Sequence, residues 1–195
     1  MSAVIESQSI AEFGGRRRGV TRALFHLAYE SGFFGTGRAE LINGEMIESL
    51  PKNQSHTIAN DSGYDLLTDA FGRGFVRHSA PLVINDENEP EPDLAVTRQL
   101  QRSYRETGNP VASEAVLVVE IFDSTLRSDL TTKVRLYGRA GIPEYWVLDI
   151  AGRALIVHRE PTTDGYASVT RFAETETVTP LAAPQATHNI ADFLP

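Results

Sequence analysis

The apolar positions of this chain change spacing from segment to segment, and each change marks an element. Val20, Ala23, Leu24, Leu27 and Ala28 recur at three- and four-residue intervals, the period of a helix over residues 20–31. Gly32, Gly35 and Gly37 then interrupt the pattern. From Glu40 to Glu48 two short apolar runs flank Asn43-Gly44, a strong signal for a hairpin closed by a two-residue turn. Pro51 ends it. A second helix is predicted from Ser55, a candidate cap, to Phe71, with Ile58, Leu66, Leu67 and Ala70 turned inward.

Short strands are expected at 75–77 and 82–84, followed by an acidic bend over 85–92 and a strand from Asp93 to Val96. Residues 98–113 are polar and read as a surface loop with a helical turn. The stretch 115–122 is nearly continuous in apolar residues rather than alternating, as expected of a central strand covered on both faces. A helix from Asp129 to Ala140 is well bounded: Ser128 can cap it, Asp129 suits its N-terminal dipole, Gly141 suits its C-terminus and Pro143 follows. Residues 145–150 form another buried strand, paired across Ala151-Gly152-Arg153 with 154–158, and short strands and prolines fill the tail. No internal repeat appears, and 195 residues suit one domain, with 1–13 as a loose leader.

Composition narrows the chemistry. With no cysteine, any metal must be held by oxygen or imidazole. No run of residues approaches the ~20 apolar positions of a membrane span, and the N-terminus lacks a secretory layout; the expected location is cytoplasmic. A net charge of −8 runs against simple nucleic-acid binding, which needs a basic footprint. The basic cluster Arg16-Arg17-Arg18 with Arg22 reads as a solvated helix start.

Against this background Glu120 stands out, because a carboxylate inside a run of Val and Leu is costly unless paired, protonated or bound to metal. Asp93 lies on the preceding predicted strand, and neighbouring strands run ~4.8 Å apart. The two acids can therefore share a divalent cation, with the backbone carbonyl of Ile121 as a further ligand. Lys133 falls on the helix face that carries Leu130, Leu136 and Tyr137, close enough to orient water or stabilise phosphorane charge. A purely structural Glu120–Lys133 ion pair satisfies the same pattern. Tyr145 and Trp146 read as core aromatics, Asp149 as the start of a turn into Gly152, and His78, His158 and His188 as too scattered for a metal cluster. Ser124 has no accompanying His and acid for serine hydrolase chemistry.

Several blocks occur in an order that resembles the Uma-type putative restriction endonucleases of the PD-(D/E)XK nuclease superfamily. They are Glu40–Glu45, His56, Glu91–Val96, Val119–Ser124, Asp129 with Lys133, and Gly141–Asp149. The resemblance spans roughly residues 20–165, and its most specific part is Gly-Ile-Pro-Glu-Tyr-Trp. It implies an α/β (mixed α+β sheet) fold with a restriction-endonuclease-like core, a central mixed sheet flanked by helices. It also implies a Mg²⁺ site (Mn²⁺ as substitute) on Asp93 and Glu120, Lys133 as the catalytic lysine, supporting roles for Glu40 and His56, and DNA as substrate; a homodimer is expected, as for many enzymes that cut duplexes. In the superfamily's plain motif the lysine lies two residues after the acid; here that position is Phe122, and Lys133 on the next helix takes its place. The competing reading is a catalytically silent nuclease fold that acts as a binding or regulatory module.

Overall fold

The computed structural model describes residues 19–49, 51–123 and 127–195, with the backbone alone for 127–130. The proposed leader, Arg16–Arg18, Ser124 and the side chains of Ser128 and Asp129 lie outside the described residues. Among the described residues six strands form one mixed sheet in the order β3-β4-β5-β6-β7-β8. These are β3 (Val76–His78), β4 (Leu94–Thr97), β5 (Ala115–Phe122), β6 (Glu144–Asp149), β7 (Ala154–Thr162) and β8 (Gly165–Ala173). Neighbours are antiparallel except β5 and β6, which run parallel. A parallel pair needs a crossover, and here helix α3 (Arg127–Arg139) supplies it.

Alternation along β5 sorts its side chains between two cores. Leu117, Val119 and Ile121 join Trp146, Leu148, Phe193 and helix α2 (Gln54–Phe71) on one face. Val118 joins Tyr137, Ile142, Tyr145 and Val147 under α3 on the other. The continuous apolar run is thus explained by two covered faces. Small residues allow this close layering. Gly63 of α2 faces Leu94, whose Cδ1 would lie 2.9 Å from an added Cβ, and a Cβ on Gly138 of α3 would overlap the Gly165 backbone.

In front of the sheet stands a hairpin of β1 (Ala39–Ile42) and β2 (Glu45–Glu48). Asn43 and Gly44 both have positive φ, 51° and 73°, as the twist-compatible two-residue turn requires. Helix α1 (Arg22–Glu30) packs through Phe25 against Phe34, Ala39 and Leu41 of this unit. Buried Glu89 fastens it: the carboxylate accepts Arg22 Nε at 2.7 Å, lies 2.8 Å from His26 Nε2 and accepts Asn109 Nδ2 at 3.1 Å. The Glu89 backbone exchanges both hydrogen bonds with Leu41 of β1.

The expected elements are present with local differences. Helix α2 is capped by Asn53, whose Oδ1 accepts the His56 N–H at 2.9 Å, and not by Ser55. Its inward face carries Ala59, Asn60, Gly63 and Leu67, whereas Ile58 is exposed; close approach to the sheet selects the small residues. Leu82–Ile84 is no strand: Pro81 precedes it, the Asn85–Asn88 turn follows, and only a Val83–Val111 bridge remains. The helix predicted from Asp129 begins at Arg127. Gly141, with φ 73°, ends it as expected. Residues 177–178 and 188–189 add a small pair, β9 and β10, beneath the main sheet core.

Alanine at Gly138 should destabilise the protein by about 2 kcal/mol or more in urea unfolding, because overpacking outweighs alanine's better helix propensity. A neutral or stabilising substitution would show that α3 does not pack directly on the β7–β8 turn.

Candidate active site

The early end of one strand and the continuation of its neighbour create the site. The β4–β5 ladder stops at Leu94–Val119, but β5 runs on through Glu120, Ile121 and Phe122. Asp93, one residue before β4 rather than within it, fills the missing ladder position with its side chain. Its Oδ2 accepts the Ile121 N–H at 2.7 Å. In an extended strand the carbonyl of a residue projects to the same side as its N–H, so the Ile121 carbonyl also faces this edge.

On the α3 side of β5, Glu120 is buried with Lys133 and Glu40. Lys133 Nζ donates to Glu120 Oε1 at 3.0 Å and to Glu40 Oε1 at 3.1 Å. Tyr137, one helical turn after Lys133, donates its hydroxyl to the same Glu120 oxygen at 2.8 Å. Glu40 Oε1 also accepts the Glu91 N–H at 2.7 Å, which ties the hairpin to the segment leading into Asp93. His56 Nε2 lies 3.2 Å from Asp93 Oδ2.

The five side chains singled out in the sequence therefore converge on one cleft of about 700 Å³, together with Ile121. They come from β1, α2, the entry to β4, β5 and α3. Residues 25–191 match the family described as Uma2, putative restriction endonuclease. The chain belongs to the Uma2 family. A crystal structure of a putative nuclease belonging to DUF820, from Anabaena variabilis ATCC 29413, shares its fold: TM-score 0.64 at 16% identity, covering 80% of this chain and 88% of that one. No curated protein matches the chain in sequence. Among the described residues no helix is long and apolar enough to cross a membrane.

Electrostatics distinguish the two acids of this Uma2-family site. Burial pushes the Asp93 carboxyl up, but the hydrogen bonds and charges of His56 and Lys52 outweigh it, and its pKa falls to about 2. Burial pushes Glu120 up as well; Lys133 opposes this, the Asp93 and Glu40 charges add to it, and the pKa rises to about 7. For Lys133, burial favours the neutral amine, yet Glu120 and Glu40 hold the ammonium well above its ordinary range. The two partners shift upward together because one cation faces two carboxylates: Lys133 gains from both, and neither is fully neutralised. Burial and the Glu120 charge keep Tyr137 a neutral donor.

Of two further groups at the site, the sequence left Lys52 unremarked and gave Tyr137 a place but no role. Lys52 lies 2.6 Å from Asp93 Oδ1, and nothing in the local pattern around Pro51 marks it. Tyr137 was visible as a helical neighbour of Lys133, but its hydroxyl could not be placed without the fold. Glu144, by contrast, is structural: its buried carboxylate takes Trp146 Nε1, Arg159 and the Leu181 N–H. Asp149 accepts the Gly152 N–H at 2.8 Å in the expected turn.

Glu120 has a stability signature. Its folded pKa of about 7 lies above the ordinary 4.5. Its contribution is therefore fully present below the ordinary value and lost as pH rises through 7. In metal-free protein, Glu120→Gln should gain stability relative to wild type between acidic and alkaline pH, on the order of 3 kcal/mol across the interval. Denaturation in chelator at several pH values measures it; a pH-independent difference would mean that Glu120 titrates in its ordinary range.

Proposed function

We propose that this protein is a Mg²⁺-dependent endonuclease that hydrolyses phosphodiester bonds in DNA, with Mn²⁺ as a substitute ion. The observation that carries the reading is that Glu40 and Glu120 share one buried lysine, Lys133, at the floor of an open cleft that Asp93, held by Lys52 and His56, also lines. Burying three carboxylates with too little positive charge is unfavourable for folding, and an added cation would relieve it. Family membership supports the same conclusion.

The residues fit a hard divalent ion. Asp93, Glu120 and the Ile121 carbonyl offer oxygen donors only. Among the described residues no three His, Asp or Glu side chains are gathered into a complete metal cage. That suits Mg²⁺, which keeps several waters and takes one or two carboxylates plus substrate oxygens. When bound, such an ion polarises the phosphoryl oxygen and lowers the pKa of coordinated water.

The chain's own groups have separable roles. Glu120 and Glu40 hold Lys133 as the charged ammonium in the metal-free site, which favours an electrostatic role. The ammonium has three N–H donors, two of which are spent on Glu40 and Glu120, and the third can orient water or meet charge developing on phosphorus. Glu40 fixes Lys133, Tyr137 fixes Glu120, and His56 with the Ile121 N–H fixes Asp93. These contacts hold the reacting groups in place before substrate arrives.

Asp93→Ala and Lys133→Ala should each lower metal-dependent cleavage of duplex DNA by about a hundredfold or more. Lys133→Met, which fills the same volume, serves as a folding control. Full activity in a folded variant would remove that residue from the mechanism. Calorimetry should also show Mn²⁺ affinity rising with pH through about 7, as the ion displaces the Glu120 proton. Failure of both wild type and variants to bind metal or cut any nucleic acid would favour the silent binding module.

A further inference from the structure

Lys52 differs in kind from Lys133, and the difference carries an inference that rests on the metal reading above. Its Nζ sits 2.6 Å from Asp93 Oδ1 and 2.9 Å from Ser79 Oγ. The other Asp93 oxygen is committed to the Ile121 N–H and His56, so Oδ1 is the oxygen left for a ligand. Glu120 is arranged likewise. Its Oε1 takes Lys133 and Tyr137, while Oε2 has no hydrogen bond or ion pair among the described residues.

We infer that the Lys52 ammonium covers the Asp93 oxygen open to a divalent cation in the metal-free protein, and that metal binding repels it into the cleft to bind a phosphate of the nucleic-acid strand. A carboxylate oxygen can accept two partners, but a divalent ion at ~2.0–2.6 Å from Oδ1 would lie within a few ångströms of the ammonium at 2.6 Å and repel it. Lys52 can leave and Lys133 cannot. The Lys52 side chain is 33% exposed, against 10% for Lys133, and it is anchored by one ion pair and one hydroxyl in partly solvated surroundings, which hold it weakly. Lys133 is buried against two carboxylates. Once released, Lys52 lies in the same cleft as Arg38, whose guanidinium is already bound to Glu91 and the Ser79 carbonyl. Lys52 is then the cation with uncommitted donors at the mouth of the site.

Two measurements on one variant should move in opposite directions. By calorimetry, Lys52→Met should bind Mn²⁺ at least about fivefold more tightly than wild type. Lys52→Arg should match wild type or bind more weakly, and Arg38→Gln, which removes a cleft cation that does not touch Asp93, should leave affinity unchanged. In Ca²⁺, which permits binding to be followed apart from turnover, Lys52→Met should bind a short duplex DNA about fivefold more weakly by fluorescence anisotropy. Thermal unfolding without metal confirms that each variant is folded. Equal or weaker Mn²⁺ binding by Lys52→Met, equal tightening by Arg38→Gln, or unchanged duplex binding would overturn the assignment. If wild type binds metal and Lys52→Met gains nothing, only the role of Lys52 falls; if no variant binds metal, the metal reading falls with it.

Discussion

A single buried ammonium sets the terms for the whole site. Lys133 reaches from α3 to Glu120 at the centre of the sheet and to Glu40 on the hairpin, so three elements are joined through one charge. Stability does not explain such a choice. Apolar side chains of similar volume often hold a fold as well as a buried ion pair or better, whereas removing one partner is severe. The mismatch of two carboxylates for one lysine is therefore best understood as a standing demand for more positive charge at this place.

The surrounding fold answers the geometric part of that demand. The sheet presents Glu120 only because β5 outlasts β4, and Asp93 occupies the gap through a main-chain contact rather than through a free rotamer. The hairpin is held in turn by buried Glu89, which links Arg22 and His26 of α1 and shares backbone hydrogen bonds with Leu41, the residue after Glu40. Two buried acids thus serve in series, one docking the hairpin and the other facing the cleft.

Much of this was legible in the residues. Glu120 declared itself by interrupting an apolar run, Lys133 by lying on the inward face of a short helix, and Asn43-Gly44 by a backbone need that few pairs meet. What escaped was set by long-range packing. The phase of α2 turned on Gly63 meeting Leu94, which no local pattern announces. Lys52 sits in an irregular stretch whose partner, Asp93, is 41 positions away, and the strand expected at 82–84 yielded to the turn chemistry around it. Periodicity reports that an element has a buried face; it does not report which small residues set that face's phase or which neighbour a polar atom will meet.

The separations along the chain have a consequence for synthesis. Glu40 and Lys133 are 93 residues apart, and Asp93 meets the Ile121 main chain across 28. A ribosome must release the whole of β5 and the first half of α3 before the cleft has a floor. An emerging or truncated chain that ends before Lys133 carries the acids without their shared cation and cannot assemble the centre.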